Sequence, residues 1–462
     1  MKASKRSVIL IGILLGVTTN TLMQTIVATI LPQVSKVLGD SHLYGWVFSG
    51  YLLMSTITIP LFSKLADLYG YKLFFTIGMA IFLVGSLLCG MADSFPFLVG
   101  SRLVQGVGAG VLGPVATALI ATVYPSESRG KALSSLAAVQ LLSNILGPIV
   151  GGVIATSLGW AYAFYLVIPF GIISLLIIQF AELPTNHKAA TASLKNIDYW
   201  GAFLLGAGVA LFIQTWTTFE KSGWNVSMIV MLAASVFFGI WFVFQEKKHP
   251  DPVLSPKIIR IRNVSLASIS ALFVGAINYG AISIFPLFAV VLFNSNSAKS
   301  STFLLPLMIG LSIGIIISSR LSQKVSYKVL AQTGWLLSAF GLALTSLICF
   351  VELPNNLIYI FAFMIGGGIG ILMPTFMLPA QNAVSDNEQA TVGGIIQLSR
   401  NVGGAIGIPI LTSILALTAQ KGENTLQYGI AFLVLFLLTL IGFFVGRQFE
   451  GSAVKRRKED RI

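Results

Sequence analysis

The chain has 462 residues, of which 55% are hydrophobic and 10% are charged, and its mean hydropathy is +0.87. A water-soluble protein of this length needs far more polar residues to cover its surface, so the composition excludes that class and indicates a membrane protein. The net charge of +13 does not indicate nucleic-acid binding, because the basic residues lie in short segments between apolar stretches. One basic run, Lys455–Lys458, is typical of contact with anionic lipid headgroups.

Fourteen apolar stretches are long enough to cross a bilayer as helices, which takes about 20 residues. The first follows three basic residues and lacks a small-residue cleavage site, so we expect a retained helix and not a signal peptide. The predicted fold is therefore all-α and integral to the membrane. The predicted spans lie near residues 7–31, 44–65, 73–92, 97–121, 131–155, 160–181, 199–219, 227–245, 264–292, 301–319, 329–350, 356–378, 391–418 and 427–446.

The basic residues also predict the orientation of the chain. With the N-terminus in the cytoplasm, twenty-three of the 29 Lys and Arg residues fall in cytoplasmic segments and four in outer loops, as the positive-inside rule requires. One loop disagrees, since 379–390 carries Asp386 and Glu388 and no base. An even number of spans returns the C-terminus to the same side. We therefore expect a multi-pass protein of the cell membrane (plasma or inner) with both termini cytoplasmic.

The second half of the chain repeats a pattern of glycine, proline and cysteine residues found in the first half. Each matching pair is separated by the same number of residues as Gly106 and Gly366. Internal repeats of this kind are typical of transporter folds built from two related halves with the substrate site between them. Six spans per half leave two more, near 199–245, inserted between the halves. We expect an N-terminal six-helix bundle (1–182), two inserted helices with cytoplasmic linkers (183–263), a C-terminal six-helix bundle (264–447) and a basic cytoplasmic tail (448–462). The matching positions are Cys89, Gly106, Gly108, Gly110, Pro114 and Gly147 with Cys349, Gly366, Gly368, Gly370, Pro374 and Gly407.

Nucleotide and metal chemistry are not predicted. Gly108, Gly110 and Gly113 satisfy the dinucleotide pattern G-x-G-x-x-G, but they follow no strand and lie within a span, where small residues favour close helix packing. No G-x-x-x-x-G-K-[ST] motif occurs, so ATP is not the predicted energy source. The two cysteines and three histidines are too scattered for a metal site or an integral-membrane enzyme, and we expect no cofactor.

Two arginines fall within spans, where a charged side chain must face protein or a watery cavity. Arg102 opens the fourth span and either serves the transport pathway or bonds to facing carbonyls. Arg400 shares one helical face with Gln397 and Asn401. Polar stripes on other spans should also face inward, where they either line the pathway or hold helices together. The predicted substrate pathway comprises Asn20, Gln24, Arg102, Gln105, Gln140, Asn144, Asn278, Gln397, Arg400 and Asn401.

The loop after the second span is a candidate conformational latch. Ser63–Lys72 offers a carboxylate at a helix end, a glycine for the turn and flanking bases, namely Asp67, Gly70 and Lys72. This set either forms a charge latch to neighbouring helices or is an ordinary basic turn. The segment recurs in the second half as Ser319–Lys328, where Gln323 replaces the acid.

The fifth span contains helix breakers, which are Gly147, Pro148, Gly151 and Gly152. Proline and glycine at these positions predict a kinked helix that packs closely against its neighbours. A hinge for a rocking motion is the functional extension of that interpretation.

Together these segments resemble the major facilitator superfamily, and within it the fourteen-span drug:proton antiporter family, over nearly the whole chain. Ser63–Lys72 resembles the family's cytoplasmic loop motif, Arg102–Gly106 its R-x-x-q-G motif, and Gly147–Gly152 its antiporter motif G-P-x-x-G-G. Leu22–Thr29 resembles the first-span motif L-D-x-T-I-V-A-T. The resemblance implies a two-bundle fold, alternating access, and a cavity lined by the first, second, fourth and fifth spans and their counterparts.

The departures from the family concern the coupling ion. Met23 stands where the first-span motif carries an aspartate, and none of the sixteen acids falls in mid-membrane. A proton-coupled exporter normally needs a carboxyl that is protonated in one state and ionised in the other. The candidates are therefore peripheral: Asp67 and Glu220 first, then Asp40 and His42.

The sequence thus predicts a monomeric secondary active exporter of small amphipathic compounds, of the multidrug-efflux and antibiotic-resistance type, driven by protons or sodium ions. An ion-independent or sodium-coupled transporter or flippase of a lipid-like or metabolite substrate stays open, because the mid-membrane acid is missing. Two arginines without an acid predict a preference for neutral, zwitterionic or anionic compounds over dications. A receptor or channel fits the two-half repeat with broken helices less well.

Overall fold

The computed structural model describes residues 3–39, 41–182, 197–250, 252–293, 303–322, 324–351, 354–385, 388–419 and 425–449. Within these residues the long elements are all α-helices and no strand is found. Fourteen of the helices are long and apolar enough to cross a membrane. The predicted all-α, fourteen-span fold is therefore confirmed.

Fourteen long helices follow one another along the chain. A 3₁₀ turn (Ser41–Leu43) precedes the second helix, and a short helix (Pro256–Ile259) precedes the ninth. The long helices are α1 Ala3–Leu38, α2 Tyr44–Tyr69, α3 Tyr71–Gly90, α4 Phe95–Val123, α5 Ser126–Ser157, α6 Ala161–Phe180, α7 Tyr199–Ser222, α8 Val226–Lys248, α9 Arg262–Leu292, α10 Leu304–Leu321, α11 Tyr327–Ile348, α12 Leu357–Asn382, α13 Gln389–Ala419 and α14 Leu426–Gly446.

The largest difference from the predicted spans is at α1, which extends well beyond residue 31. The predicted span ends just before Pro32, yet this proline lies inside a helix of 36 residues. A proline removes one backbone hydrogen bond, and membrane helices tolerate that loss because neighbouring groups satisfy the freed carbonyl. A proline alone is therefore a poor signal for the end of this helix.

The chain forms two compact units by its internal contacts. The first contains Met1–Phe212 and Val230–Val253, and the second contains Ile213–Ile229 and Leu254–Ile462. The boundary passes through α7 and α8, so each of these inserted helices contributes to both units. The predicted division into two six-helix bundles and a separate inserted pair remains a prediction.

The two units use the same set of helix neighbours. In the first unit α4 packs against α2 and α3, α1 packs against α5 and α6, and α3 packs against α6. In the second unit α12 packs against α10 and α11, α9 packs against α13 and α14, and α11 packs against α14. The internal repeat of the sequence therefore extends to the packing within each unit.

Glycines bring α4 into backbone contact with its neighbours. A β-carbon on Gly106 would stand 2.6 Å from the carbonyl oxygen of Tyr51 on α2, and one on Gly108 would overlap the backbone of Phe82 on α3. One on Gly110 would meet α2 again. Only glycine permits approaches this close, so the prediction of close helix packing is confirmed for Gly108 and Gly110. It is wrong for Gly113, where a β-carbon would meet nothing within 4 Å.

The second unit repeats these contacts with a change of register. Gly366 and Gly370 of α12 meet the Leu307 and Leu311 carbonyls of α10, as Gly106 and Gly110 meet the Tyr51 and Ser55 carbonyls of α2. The α12 glycines are separated from the α4 glycines by the offset of the sequence repeat. The α10 residues that they contact are separated from the corresponding α2 residues by a shorter offset, which is about one helical turn less. The longer connection before α12, residues 349–356 against 91–94, accounts for the difference.

The two cysteines are therefore not equivalent positions of the repeat. Gly85 of α3 and Gly341 of α11 make matching contacts with α4 and α12, so these two helices are related by the same shorter offset as α2 and α10. Cys89 then corresponds to Thr345, and its match with Cys349 in the sequence repeat is a coincidence. Both thiols are buried, at 0% and 8% exposure.

We expect Gly108→Ala to lower the melting temperature of the purified protein, because the new methyl group would collide with the α3 backbone. Overpacking of this kind costs about 1–3 kcal/mol. Gly113→Ala is the matched control on the same helix, since a β-carbon there meets nothing within 4 Å. Equal melting temperatures of the two variants in detergent would contradict this account of the packing.

Candidate functional site

Arg102 is a fully buried cation on α4 (0% exposed). Its Nε donates a hydrogen bond to the Val47 carbonyl oxygen of α2 at 3.1 Å, and its Nη1 donates to Oε1 of Gln105. The guanidinium carbon lies 4.1 Å from the centre of the Tyr51 ring. Among the described residues no carboxylate forms an ion pair with it. A carbonyl, an amide and an aromatic face therefore stabilise this charge.

Hydrogen bonds and the cation–π contact between Arg102 and Tyr51 join polar side chains of four helices in the first unit. The Tyr51 hydroxyl donates to Oδ1 of Asn20 at 2.5 Å, and Nε2 of Gln24 lies 3.4 Å from the same hydroxyl oxygen. At the other end, Nε2 of Gln105 donates to Oγ of Ser86 at 2.7 Å. We call this set the Arg102 cluster: Asn20, Gln24, Tyr51, Ser86, Arg102 and Gln105.

Accessibility differs sharply within the Arg102 cluster. Arg102 and Gln105 are enclosed by protein, and Tyr51 is 2% exposed. Asn20 and Gln24 are half-buried, and their place in the substrate pathway stays a prediction. Arg102 bonds to a facing carbonyl, which is one of the two roles that the sequence leaves open for it. The place of Arg102 in the substrate pathway stays a prediction. Tyr51, which joins Arg102 to Asn20 and Gln24, is absent from the predicted substrate pathway.

The second unit contains a different arginine cluster on one face of α13. Nη2 of Arg400 donates to Oε1 of Gln397 at 2.5 Å, and Nε2 of Gln397 donates to Oδ1 of Asn401 at 2.9 Å. Nη1 of Arg400 lies 3.6 Å from the sulfur of Met373 on α12. Its Nε has no hydrogen-bond partner in the described part of the chain. Arg400 as a whole is half-buried, although this Nε atom is itself buried, and its place in the substrate pathway stays a prediction.

The other predicted pathway residues do not join either cluster within the described chain. Asn278 on α9 is 6% exposed, and its side-chain oxygen accepts no hydrogen bond from described residues. Gln140 is exposed and Asn144 is half-buried on α5. Their part in a substrate pathway stays a prediction.

The predicted latch residues make separate contacts in the structure. Asp67 is exposed, and its Oδ1 accepts a hydrogen bond from the Tyr71 hydroxyl at 2.5 Å. Gly70 has φ +103°, a conformation that favours glycine and fixes the turn between α2 and α3. Nζ of Lys72 donates to the Ala181 carbonyl at the end of α6 at 2.9 Å, where helix carbonyls lack partners. The turn is thereby tied to α6, and a latching role stays a prediction.

A surface ion pair lies at the end of the same helix. Nζ of Lys5 on α1 is 2.6 Å from Oε2 of Glu182, and the side chains are 56% and 81% exposed. The hydrogen bond from this lysine, and then its charge, lower the pKa of Glu182. Solvent screening makes such exposed pairs weak, so Glu182 serves below as a reference carboxyl.

The helix breakers of the fifth span lie in a continuous helix that packs on α1. α5 runs through Pro148 without interruption. A β-carbon on Gly147 would overlap the hydroxyl of Thr25, and one on Gly151 would stand 3.2 Å from the α-carbon of Ile26. Gly152 is buried as well. These residues permit a close helix contact, and the hinge stays a prediction.

Among the coupling candidates, Glu220 makes the most specific contacts. It lies in the last turn of α7, and its Oε1 accepts hydrogen bonds from the hydroxyls of Thr412 (2.9 Å) and Ser413 (3.0 Å) on α13. His42 is half-buried in the 3₁₀ turn before α2. Asp40 lies outside the described residues. No local sequence signal could have joined Glu220 to two hydroxyls so far along the chain.

The remaining acids of the described helices also lie at helix ends. Glu246 is 4% exposed in the last turn of α8. Asp198 is 2% exposed and caps α7, since its Oδ1 accepts a hydrogen bond from the Gly201 amide at 2.7 Å. The described spans therefore contain buried arginine but no carboxylate near their middle.

We expect Arg102→Ala to lower the melting temperature strongly, because it leaves Gln105 and the Val47 carbonyl without a buried donor. Hydrogen bonds to charged groups contribute about 1.5–3 kcal/mol each. Tyr51→Phe keeps the ring beneath the guanidinium and should stay close to the wild type in stability. Arg320→Ala, at an exposed helix end, is the control. An Arg102→Ala protein as stable as this control would show that the cluster does not support the fold.

Comparison with known proteins identifies the family. The sequence profile of the Major Facilitator Superfamily matches residues 13–198 and 199–408. The Multidrug transporter protein MdtP of Bacillus subtilis is 30% identical over 427 residues, which cover 91% of this chain and 77% of that protein. Multidrug resistance protein 3 of the same organism is 29% identical, with 89% and 80% covered.

Two more distant proteins that resemble this chain also carry transporter names. Efflux pump FUS6 of Gibberella moniliformis is 25% identical over 425 residues, with 89% of this chain and 74% of that protein covered. The crystal structure of a bacterial homologue of the human lysosomal transporter Spinster, inward-facing and occupied, superposes with a TM-score of 0.68 over 97% of this chain and 98% of that one. Its 14% identity shows the shared fold alone. By its fourteen helices, its repeated packing and these relatives, the chain belongs to the multidrug-efflux transporters of the major facilitator superfamily.

Proposed function

We propose that this protein exports small amphipathic compounds by alternating access and exchanges them for protons. The observation that supports export most directly is the similarity to multidrug transporters over nine-tenths of the chain. The proposed setting is the cell membrane, with both termini in the cytoplasm and the protein acting as a monomer. The half-buried amides of Asn20 and Gln24 and the half-buried guanidinium of Arg400 are the groups we assign to substrate contact.

The positive charge of the arginines within the spans supports a preference among substrates. Arg102, about two turns into α4, and Arg400, in the interior of α13, are the buried and half-buried cations of the described spans, and every described carboxylate is at or next to a helix end. Two like charges 4 Å apart repel by about 4 kcal/mol at an effective dielectric constant of 20. A second positive charge on the substrate would add to this repulsion. Neutral, zwitterionic and anionic compounds are therefore the proposed substrates.

The second candidate function is an ion-independent or sodium-coupled transporter or flippase of a lipid-like or metabolite substrate. The observation that favours it is the absence of a mid-span carboxylate among the described residues. A proton antiporter must then use an acid at a helix end, and Glu220, Asp67, Asp40 and His42 are the candidates for that role. The two functions differ in whether a proton gradient drives transport.

Purified protein in liposomes should accumulate norfloxacin, a zwitterionic drug, when a proton gradient is imposed in sodium-free buffer. Collapse of the gradient with a protonophore should stop accumulation and leave only equilibration. Empty liposomes give the background for passive entry. Transport that needs sodium, or that ignores the protonophore, would favour the second candidate function.

Cells that overproduce the protein should export norfloxacin faster than propidium, a dicationic dye. Arg400→Ala removes the positive charge of the α13 cluster, so it should narrow this difference, whereas Arg320→Ala should leave it unchanged. Fluorescence efflux assays on cells with matched protein levels measure both rates. Faster export of propidium by the wild type would contradict the charge argument.

A further inference from the structure

The end of the inserted helix α7 binds to α13 through one carboxyl group. Oε1 of Glu220 receives the hydroxyls of Thr412 and Ser413, which are consecutive residues of α13. Each hydroxyl also has a backbone acceptor within reach. Oγ of Ser413 is 3.2 Å from the Trp216 carbonyl, and Oγ1 of Thr412 is 3.1 Å from the Pro409 carbonyl. All of these residues belong to the second unit.

This arrangement accommodates both protonation states of the carboxyl. A hydroxyl group can donate and accept, so Thr412 and Ser413 can both donate to an ionised Glu220. When Glu220 is protonated, its O–H can donate a hydrogen bond to one hydroxyl oxygen while the hydroxyl hydrogens turn to the carbonyls of Trp216 and Pro409. A lysine or arginine partner would instead have favoured the ionised state alone.

Few other charges lie near this carboxyl. Lys221 follows it on α7 and is exposed, and its charge acts on Glu220. On α13 the charged side chain is Arg400, twelve residues before Thr412 and thus about 18 Å along the helix. α14 has no charged residue, and the charges of α8 and α9 lie at Glu246–Lys248 and Arg262. Lys421 and Glu423, which follow α13, are outside the described residues.

We propose that Glu220, Thr412 and Ser413 form the proton-binding site of the transporter. The inserted helix α7 would then carry the coupling carboxyl that the first span, with Met23, does not supply. This inference rests on the proposed proton antiport and assigns it to one site. Bonds to an ionised carboxyl are about twice as strong as neutral ones, so protonation loosens the attachment of α7 to α13. Because α13 also carries Arg400, proton binding and substrate contact act on the same helix.

Infrared difference spectra test whether Glu220 takes up a proton. Full-length protein in liposomes is compared between acidic and alkaline buffer, and the stretching band of a protonated carboxyl is followed. One band should be lost in Glu220→Gln, kept in Glu182→Gln, and shifted in frequency in the Thr412→Val/Ser413→Ala double variant, which removes its hydrogen bonds. If Glu220→Gln and the wild type give the same spectra, the proposed site is wrong.

Proton release tests whether this site couples transport. A pH-sensitive dye inside the liposomes reports protons moved when norfloxacin is added, and labelled norfloxacin reports substrate exchange across the membrane. Glu220→Gln resembles the protonated state, so it should lose proton movement and gradient-driven accumulation but keep exchange. Glu182→Gln should behave as the wild type in both assays.

The outcomes separate this inference from the function on which it rests. Proton movement by Glu220→Gln at the wild-type rate would overturn the assignment to Glu220 while leaving proton antiport intact. Norfloxacin transport by the wild type without proton movement would overturn proton antiport itself, and the coupling site with it. Loss of both exchange and proton movement in Glu220→Gln, with a normal melting temperature, would also overturn the assignment, because the glutamate would then be required for transport as such.

Discussion

The structure depends on the rule that polar groups within lipid must find their partners inside the protein. Arg102 shows how the sequence meets it. Gly106, on the next turn of α4, lets this helix approach the α2 backbone, and the guanidinium then reaches the Val47 carbonyl. A larger residue at Gly106 would hold the helices apart and leave the charge without that acceptor. Close packing and charge burial are therefore one property of this helix group.

The two arginines of the spans have different environments although the halves are related. Arg102 is enclosed and acts on its surroundings through Tyr51, whose hydroxyl positions Asn20. Arg400 is half-buried and bonds to Gln397 of its own helix and to the sulfur of Met373 on α12. The first is thus enclosed among polar groups of four helices, whereas the second is the more accessible of the two cations. The repeat preserved the scaffold and allowed the polar residues of each half to diverge.

The number and kind of helices could be predicted from the sequence because the bilayer imposes a length and an apolar composition that single segments reveal. The glycine contacts of α4 and α12 could be predicted for the same reason, since small residues in a span have few other uses. The shared face of Gln397, Arg400 and Asn401 follows from helical spacing alone. These features depend on neighbours within one helix or on composition.

Features that depend on distant segments could not be predicted. The pairing of Glu220 with Thr412 and Ser413, and that of Lys72 with the Ala181 carbonyl, require the tertiary arrangement. The predicted match of Cys89 with Cys349 was wrong because a connection of different length changed the register between helices. The predicted end of α1 was wrong because proline breaks helices in water more readily than in a packed membrane bundle, and Pro32 lies inside the helix.

The burial of both cysteines makes the unmodified chain a suitable background for thiol chemistry. Cys89 and Cys349 pack inside the helices of their units and expose little sulfur to reagents. A cysteine introduced at an exposed position, such as Gln140, would then be the site that a maleimide fluorophore reaches first. Distances between such probes could be followed during turnover without replacing either native cysteine.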